Sequence, residues 1–417
     1  MHRIVAATLL LISTVPNAGA AELFTPAEPI ANRYIVVLDI RVLPGVAAPL
    51  VRTLAAELSK LHGGEVLHVY ENVLGGFSVA IDAQGAAALA QNARVALVEQ
   101  DSLRSIAETQ RNAPWGLDRL DRPGTLDGSY SYVGKGEGVQ VFVVDTGIRA
   151  SHRDFGGRVA KGYSSIRDGR GTDDCQGHGT HVAGTIGGAQ YGVAKGAILV
   201  PVRVLDCRGS GSTSGVIAGI DWVTSRRAKP SVANMSLGGG ASRALDRAVQ
   251  ESIDAGVTYV VAAGNENRDA CDGSPARVGP AVTVAASTRR DQRASFSNKG
   301  RCVDLFAPGD GIVSAGHKGD SASATMSGTS MAAPHVSGAA ALILAGDKRA
   351  SPSQVASALV NNAAVNRVTD AAGAPNRILQ TRSGGEAPPP SQPLPEAGQP
   401  GGKGVVCDVL SVLGACP

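Results

Sequence analysis

Five short apolar runs constrain this chain more than any other feature: Val139–Val144, Ala197–Val204, Val232–Ser236, Val257–Ala262 and Val282–Ala286. Each is apolar at odd and even positions alike. A strand of that kind has to be covered on both faces, the condition of a parallel sheet between two layers of helices. Helical patterns fall between or after the runs, at 178–187, 213–226, 241–254 and 330–345. The alternation predicts an α/β domain with a doubly wound, mostly parallel sheet and helices on both faces. Such sheets place their chemistry at the carboxyl ends of the strands.

The rest of the chain divides around that domain. Residues 1–20 have the form of a secretory signal: His2 and Arg3, an apolar run from Ile4 to Ile12, then Ala18-Gly19-Ala20 at a cleavage point. The run is too short to span a bilayer. Residues 21–106, with a core at 34–105, read as a small domain of β-α-β-β-α-β order, which is ferredoxin-like. Its first helix, 48–62, places Leu50, Leu54, Leu58 and Leu61 on one face. A small domain between a signal and a large domain reads as a prosegment. The polar stretch Ser105–Asn112 reads as a connection to the main domain, 107–381. Residues 382–404 are rich in Pro and Gly and read as a linker, and 405–417 as a short apolar tail closed by two cysteines.

A formal net charge of +3 over 417 residues gives no support for a nucleic-acid or membrane-surface partner. The expected product is secreted, extracellular and monomeric. Six cysteines in an exported chain point to disulfides, and fifteen pairings are open to them. No close Cys or His pair has zinc-finger spacing.

Three junctions carry chemistry. Gln140–Gly147 puts Asp145 at the carboxyl end of a buried strand. Gly177-His178-Gly179-Thr180-His181-Val182-Ala183-Gly184 lets a histidine open a helix of small residues. In Ser327–Gly338, Ser330 sits at or just inside a helix N-terminus, where unpaired N–H groups favour an oxyanion. Pro334 fits the first turn of that helix. An acid, a histidine and a serine at three separate junctions fit an activated nucleophile: carboxylate fixing imidazole, imidazole taking the serine proton, serine attacking a carbonyl. The order Asp, His, Ser excludes the α/β-hydrolase order, and Gly-Thr-Ser-Met-Ala is not a nucleophile elbow.

These three motifs resemble those of the subtilisin-type serine proteases, and their details resemble the proteinase K branch with its aqualysin-like secreted bacterial members. The likeness runs from about Pro114 to Gln380. It implies a serine endopeptidase made as an autoprocessed precursor, with Asp145, His178 and Ser330 catalytic, His152, His181, His317 and His335 structural, and residues 21–106 an inhibitor-type propeptide. Asn265, in Val-Ala-Ala-Gly-Asn-Glu-Asn, takes the place of the family's oxyanion-binding asparagine. Ser236, Leu237 and Gly238, Ala262, Ala263 and Gly264, and the edge segment Gly209, Ser210, Gly211 resemble the walls of the substrate cleft. None of these segments holds an acid, which favours apolar or aromatic side chains in a substrate. Cys175–Cys207 and Cys271–Cys302 resemble the group's two disulfides in spacing and placement, and Cys407 falls with Cys416 in chain order. Structural calcium is implied twice: at the carbonyls of Pro280 and Val282 with Asp304, and at Asp118, Asp121, Ser129 and Ser131. The expected partners are protein substrates and the chain's own propeptide. The rival readings are an inactive peptide-binding relative and a serine esterase or acyltransferase on the same fold.

Overall fold

The computed structural model describes residues 21–26, 29–39, 48–102, 108–122, 124, 126–226 and 230–381. The segments read above as signal, linker and tail, Cys407 and Cys416 included, lie outside them.

The N-terminal domain comprises β1 (Glu22–Phe24), β2 (Pro29–Leu38), α1 (Ala48–Leu61), β3 (Glu65–Tyr70), β4 (Gly76–Ala80), α2 (Ala83–Ala90) and β5 (Val95–Ser102). Its sheet runs β1-β5-β2-β4-β3, with β2 antiparallel to both β4 and β5. The buried face of α1 is Val51, Leu54, Ala55 and Leu58, while Leu50 and Leu61 are exposed. At about 100° per residue the four buried positions centre well round from Leu50 and Leu61, which fall at the rim of the stripe.

Next come β6 (Glu108–Arg111), α3 (Trp115–Asp121) and β7 (Ser129–Tyr132). The polar connection to the main domain is partly a strand, since Glu108–Arg111 pairs antiparallel with Ser129–Tyr132. Polar residues suffice there because only the backbone ladder has to be satisfied.

The main domain continues with β8 (Gln140–Asp145), β9 (Tyr163–Ser164), α4 (His178–Gly187), β10 (Ile198–Arg203), α5 (Thr213–Arg226), β11 (Ser231–Met235), β12 (Gly239–Gly240), α6 (Arg243–Asp254) and β13 (Thr258–Ala262). It closes with β14 (Gly273–Ser274), β15 (Val282–Ser287), β16 (Leu305–Pro308), β17 (Ile312–Ala315), β18 (Ser323–Met326), α7 (Thr329–Gly346), α8 (Pro352–Asn362), β19 (Ala364–Val365) and β20 (Arg377–Ile378). Nine strands form one sheet in the order β19-β20-β16-β15-β13-β11-β8-β10-β9. All pairs are parallel except β19 with β20.

The double covering follows from strand alternation. On β8, Val141 and Val143 enter the core with α4 and α7, while Phe142 and Val144 enter the core with α5 and α6. On β13, Val260 and Ala262 go one way and Tyr259 and Val261 the other. Helix α7 is buried on nearly every side, which its run of Ala, Val, Gly and Ser permits. Among the described residues, no helix is long and apolar enough to cross a membrane.

Candidate active site

Strands β8, β11 and β13 are neighbours in the sheet and end on the same side. Their carboxyl ends deliver Asp145, Ser236 and the segment leading to Asn265. The amino ends of α4 and α7 supply His178 and Ser330.

Asp145 is fully buried, and its two carboxylate oxygens lie 2.8 and 2.9 Å from His178 Nδ1. A carboxylate only accepts, so Nδ1 carries the proton and Nε2 is left as the basic nitrogen. Burial pulls the imidazole pKa down, but the charge and hydrogen bond of Asp145, with a contribution from Asp174, raise it overall. Helix α4 comes this close because Gly179 has no side chain: a Cβ there would lie 2.2 Å from the Gly147 carbonyl oxygen.

Ser330 is the second residue of α7 and half-buried. Its hydroxyl donates to the Ser236 carbonyl at 3.1 Å. Pro334 is the sixth residue of the helix, one turn deeper than its sequence context implies. It therefore lacks the N–H that would bond the Ser330 carbonyl. The Ser236 hydroxyl takes that place, donating to the Ser330 carbonyl at 2.8 Å. Ser236 Oγ in turn accepts Asn234 Nδ2 at 2.9 Å, and Asn234 Oδ1 accepts the Ser337 hydroxyl at 2.8 Å. This buried chain pins the Ser330 backbone to β11.

Asn265 is oriented by Thr329. Its Oδ1 accepts the Thr329 N–H at 2.8 Å and the Thr329 hydroxyl at 3.0 Å. The oxygen end of the amide is thus committed, and the NH2 end is the one offered to a ligand. The loop itself is held by Asn298, which donates to the Ala263 carbonyl and accepts the N–H groups of Glu266 and Arg268. Gly264 is in the left-handed region at φ +103°, and a Cβ on it would lie 2.3 Å from Asn298 Nδ2.

Ser236, Leu237 and Gly238 follow β11, and Ala262, Ala263 and Gly264 end β13 beside them. Gly239–Gly240 pairs with Gly273–Ser274. Gly209, Ser210 and Gly211 form an exposed turn after β10, where Asp206 Oδ1 accepts the Ser210 N–H. A Cβ on Gly211 would lie 2.1 Å from the Val204 carbonyl oxygen.

Both internal disulfides are formed, Cys175 with Cys207 and Cys271 with Cys302. The first stands beside an ion pair with no sequence signal: Arg203, fully buried, bonds the exposed Asp168 at 2.6 and 2.7 Å. Arg203 is in register with Asp145 and bonds the Thr146 carbonyl at 3.2 Å.

The two sets of oxygen-bearing residues expected to hold calcium differ. Pro280, Val282 and Asp304 line one cavity of about 530 Å³. Asp304 is half-buried, accepts the Thr283 N–H at 2.7 Å, and is pushed by burial up to about 6. Among the described residues it has no ion pair, and carbonyls beside an unneutralised carboxylate suit a hard cation. The second set is partly committed. Asp118 accepts the N–H groups of Asp127 and Gly128, and Asp121 accepts that of Ser131. The Ser129 hydroxyl donates to Asp127, and the Ser131 hydroxyl pairs with Thr109. Arg122 turns to Asp127 at 2.9 Å, and Asp121 Oδ1 remains buried without a partner.

The carboxyl edge of a doubly wound sheet thus carries an imidazole–carboxylate pair and a helix-borne serine, the groups a serine peptidase uses. The sequence profile of the subtilase family matches residues 136–384, and that of the peptidase inhibitor I9 family matches residues 33–107. The chain is 54% identical over 375 residues to an extracellular serine proteinase of Thermus sp. (strain Rt41A), covering 85% of this chain and 90% of that protein. It is 47% identical over 361 residues to an alkaline serine exoprotease A of Vibrio alginolyticus, covering 84% of this chain and 67% of that protein. The crystal structure of a cold adapted subtilisin-like serine proteinase superposes with a TM-score of 0.64 at 53% identity, over 65% of this chain and 99% of that one. The chain belongs to the subtilase family. It is a subtilisin-type serine endopeptidase preceded by an inhibitor-type propeptide domain.

Proposed function

We propose that the protein is a secreted endopeptidase that matures itself and cleaves peptide bonds through Asp145, His178 and Ser330. The observation that carries this reading is the bond from His178 Nδ1 to both oxygens of buried Asp145, which leaves Nε2 free to act as base. In this mechanism Ser330 Oγ, which here donates to the Ser236 carbonyl, turns about its Cα–Cβ bond to reach that nitrogen. The proton passes to Nε2 as Oγ bonds to the scissile carbonyl carbon. The carbonyl π electrons move onto oxygen, where Asn265 Nδ2 and the N–H of Ser330 hold the charge. Collapse expels the amine, which takes the proton from His178, and water then releases the acyl group by the same steps.

A substrate strand fits between the edge Gly209–Gly211 and the segment Ser236–Gly238 as an added strand. Ala262, Ala263 and Gly264 supply a wall without charge, which favours apolar and aromatic residues on the acyl side. Export is supported by the leading segment 1–20 and by the extracellular naming of a relative. Calcium, held by Pro280, Val282 and Asp304, would cross-link the start of β15 to the approach to β16 and supply stability alone. Asp118 and Asp121 form a weaker second set, since Ser129 and Ser131 already have partners.

Self-maturation is tested with Ser330→Ala in a host lacking other proteases. The precursor should keep its N-terminal domain attached; maturation at the normal rate would overturn the reading.

A further inference from the structure

Asp174 is the most heavily used side chain near the site, and no motif marks it. It lies four residues before His178, half-buried, in the loop that enters α4. Five donors converge on its carboxylate. Oδ1 accepts the Thr146 hydroxyl at 2.9 Å and the N–H groups of Gln176 and Gly177 at 2.9 and 2.8 Å. Oδ2 accepts the N–H and hydroxyl of Thr180 at 2.9 and 2.6 Å. Two of these partners flank His178 along the chain, and a third, Thr146, directly follows Asp145.

Thr146 closes the circuit. While donating to Asp174, its hydroxyl accepts the Gly179 N–H at 2.9 Å, and its own N–H donates to Asp145 Oδ1 at 2.7 Å. The end of β8 and the first turn of α4 are therefore tied by one carboxylate and one hydroxyl. The tie runs beside the Asp145–His178 bond and meets it at Asp145 Oδ1. Building on the triad proposed above, we infer that Asp174 is a positioning residue for catalysis: it sets the distance and angle between Asp145 and the His178 imidazole.

Its charge bears on the same ring. The groups facing His178 are Asp145 on β8, Asp174 ahead of the helix, and His181 on the next turn. His317, from the β17–β18 connection, packs against Gly177, where a Cβ would lie 2.2 Å from its Nδ1. Arg149 and Arg203 are committed to Asp320 and Asp168. Asp174 thus adds to Asp145 in favouring the imidazolium, and its removal lowers the pKa of His178.

The test is steady-state kinetics of Asp174→Asn, normalised to sites titrated with a fluorophosphonate probe. The amide keeps the shape but offers one acceptor oxygen to five donors. We expect kcat to fall about tenfold, against the roughly 100-fold that a 1 Å misplacement costs, with KM nearly unchanged. The acidic limb of the kcat/KM profile should move to lower pH. Should that variant fail to accumulate, Thr146→Val carries the test. It keeps the bonds of Asp174 to Gly177 and Thr180, and it should lower kcat in the same direction by a smaller factor. Wild-type kcat, KM and acidic limb in whichever variants accumulate, even with a lowered melting temperature, would reduce Asp174 to a helix cap and overturn the inference. Failure of wild-type Ser330 to take the probe would instead sink the triad reading.

Discussion

Ser236 and Ser330 hold each other through two crossed bonds: each donates its hydroxyl to the other's carbonyl, at 2.8 Å from Ser236 and 3.1 Å from Ser330. The first exists because Pro334 cannot bond the Ser330 carbonyl from within the helix. Ser236→Ala should cost about 1–3 kcal/mol, since it strands that carbonyl and Asn234 Nδ2 in a buried place. Adding Pro334→Ala restores an N–H to the helix and should recover part of the loss. Urea unfolding of the single and double variants measures this; simple additivity would show the two positions to be uncoupled.

Acid should destabilise the protein through two buried histidines. His181 and His335 are buried on α4 and α7, and burial lowers each to about 4. Unfolded histidine titrates near 6.5, so between those values the unfolded chain binds more protons and stability falls as pH drops through about 6.5 to about 4. The combined loss is on the order of a few kcal/mol. Melting of enzyme blocked at Ser330, at pH 7 and pH 4.5, checks it; equal midpoints would contradict neutral burial of both rings.

The two disulfides should differ in kind. Their sequence separations are 32 and 31, so removal of either should cost roughly 3–4 kcal/mol in the chain-entropy model. Cys175 also adjoins Asp174, whereas Cys271 lies beyond the Asn298-held loop. Replacing Cys175 and Cys207 by Ala should lower both melting temperature and kcat. Replacing Cys271 and Cys302 should lower melting temperature with a smaller change in kcat. Equal kinetic effects would argue against the loop of Asp174 as the cause.

Calcium removal should lower the melting temperature, because an ion bound only by the folded chain stabilises it by mass action. Asp304→Asn should abolish most of that response. A midpoint unchanged in excess chelator would count against the site at Pro280, Val282 and Asp304.

Much of this was legible in the sequence because it is local. The central strands declare themselves by apolar runs, and the residues proposed for catalysis sit inside short motifs at strand or helix ends. What stayed hidden depends on distant pairing. Asp174 meets Thr146 from 28 residues away, Asn298 meets Ala263 from 35, and Ser337 meets Asn234 from 103. The hairpin of β17 and β18 was missed because Ser323–Met326 is half polar and exposed at alternate positions, needing only a partner strand. Leu50 and Leu61 misled because a leucine repeat marks a helix without fixing which edge of its stripe is buried.

Ser330, activated by His178 and Asp145, is the residue proposed to perform the hydrolysis. Mass mapping of the mature enzyme after reaction with a fluorophosphonate tests it most directly. One adduct per chain is expected, on Ser330, with peptidase activity lost in step and labelling nearly abolished by His178→Ala. Full peptidase activity after stoichiometric modification of Ser330, or an adduct on another residue accounting for the inhibition, would contradict it.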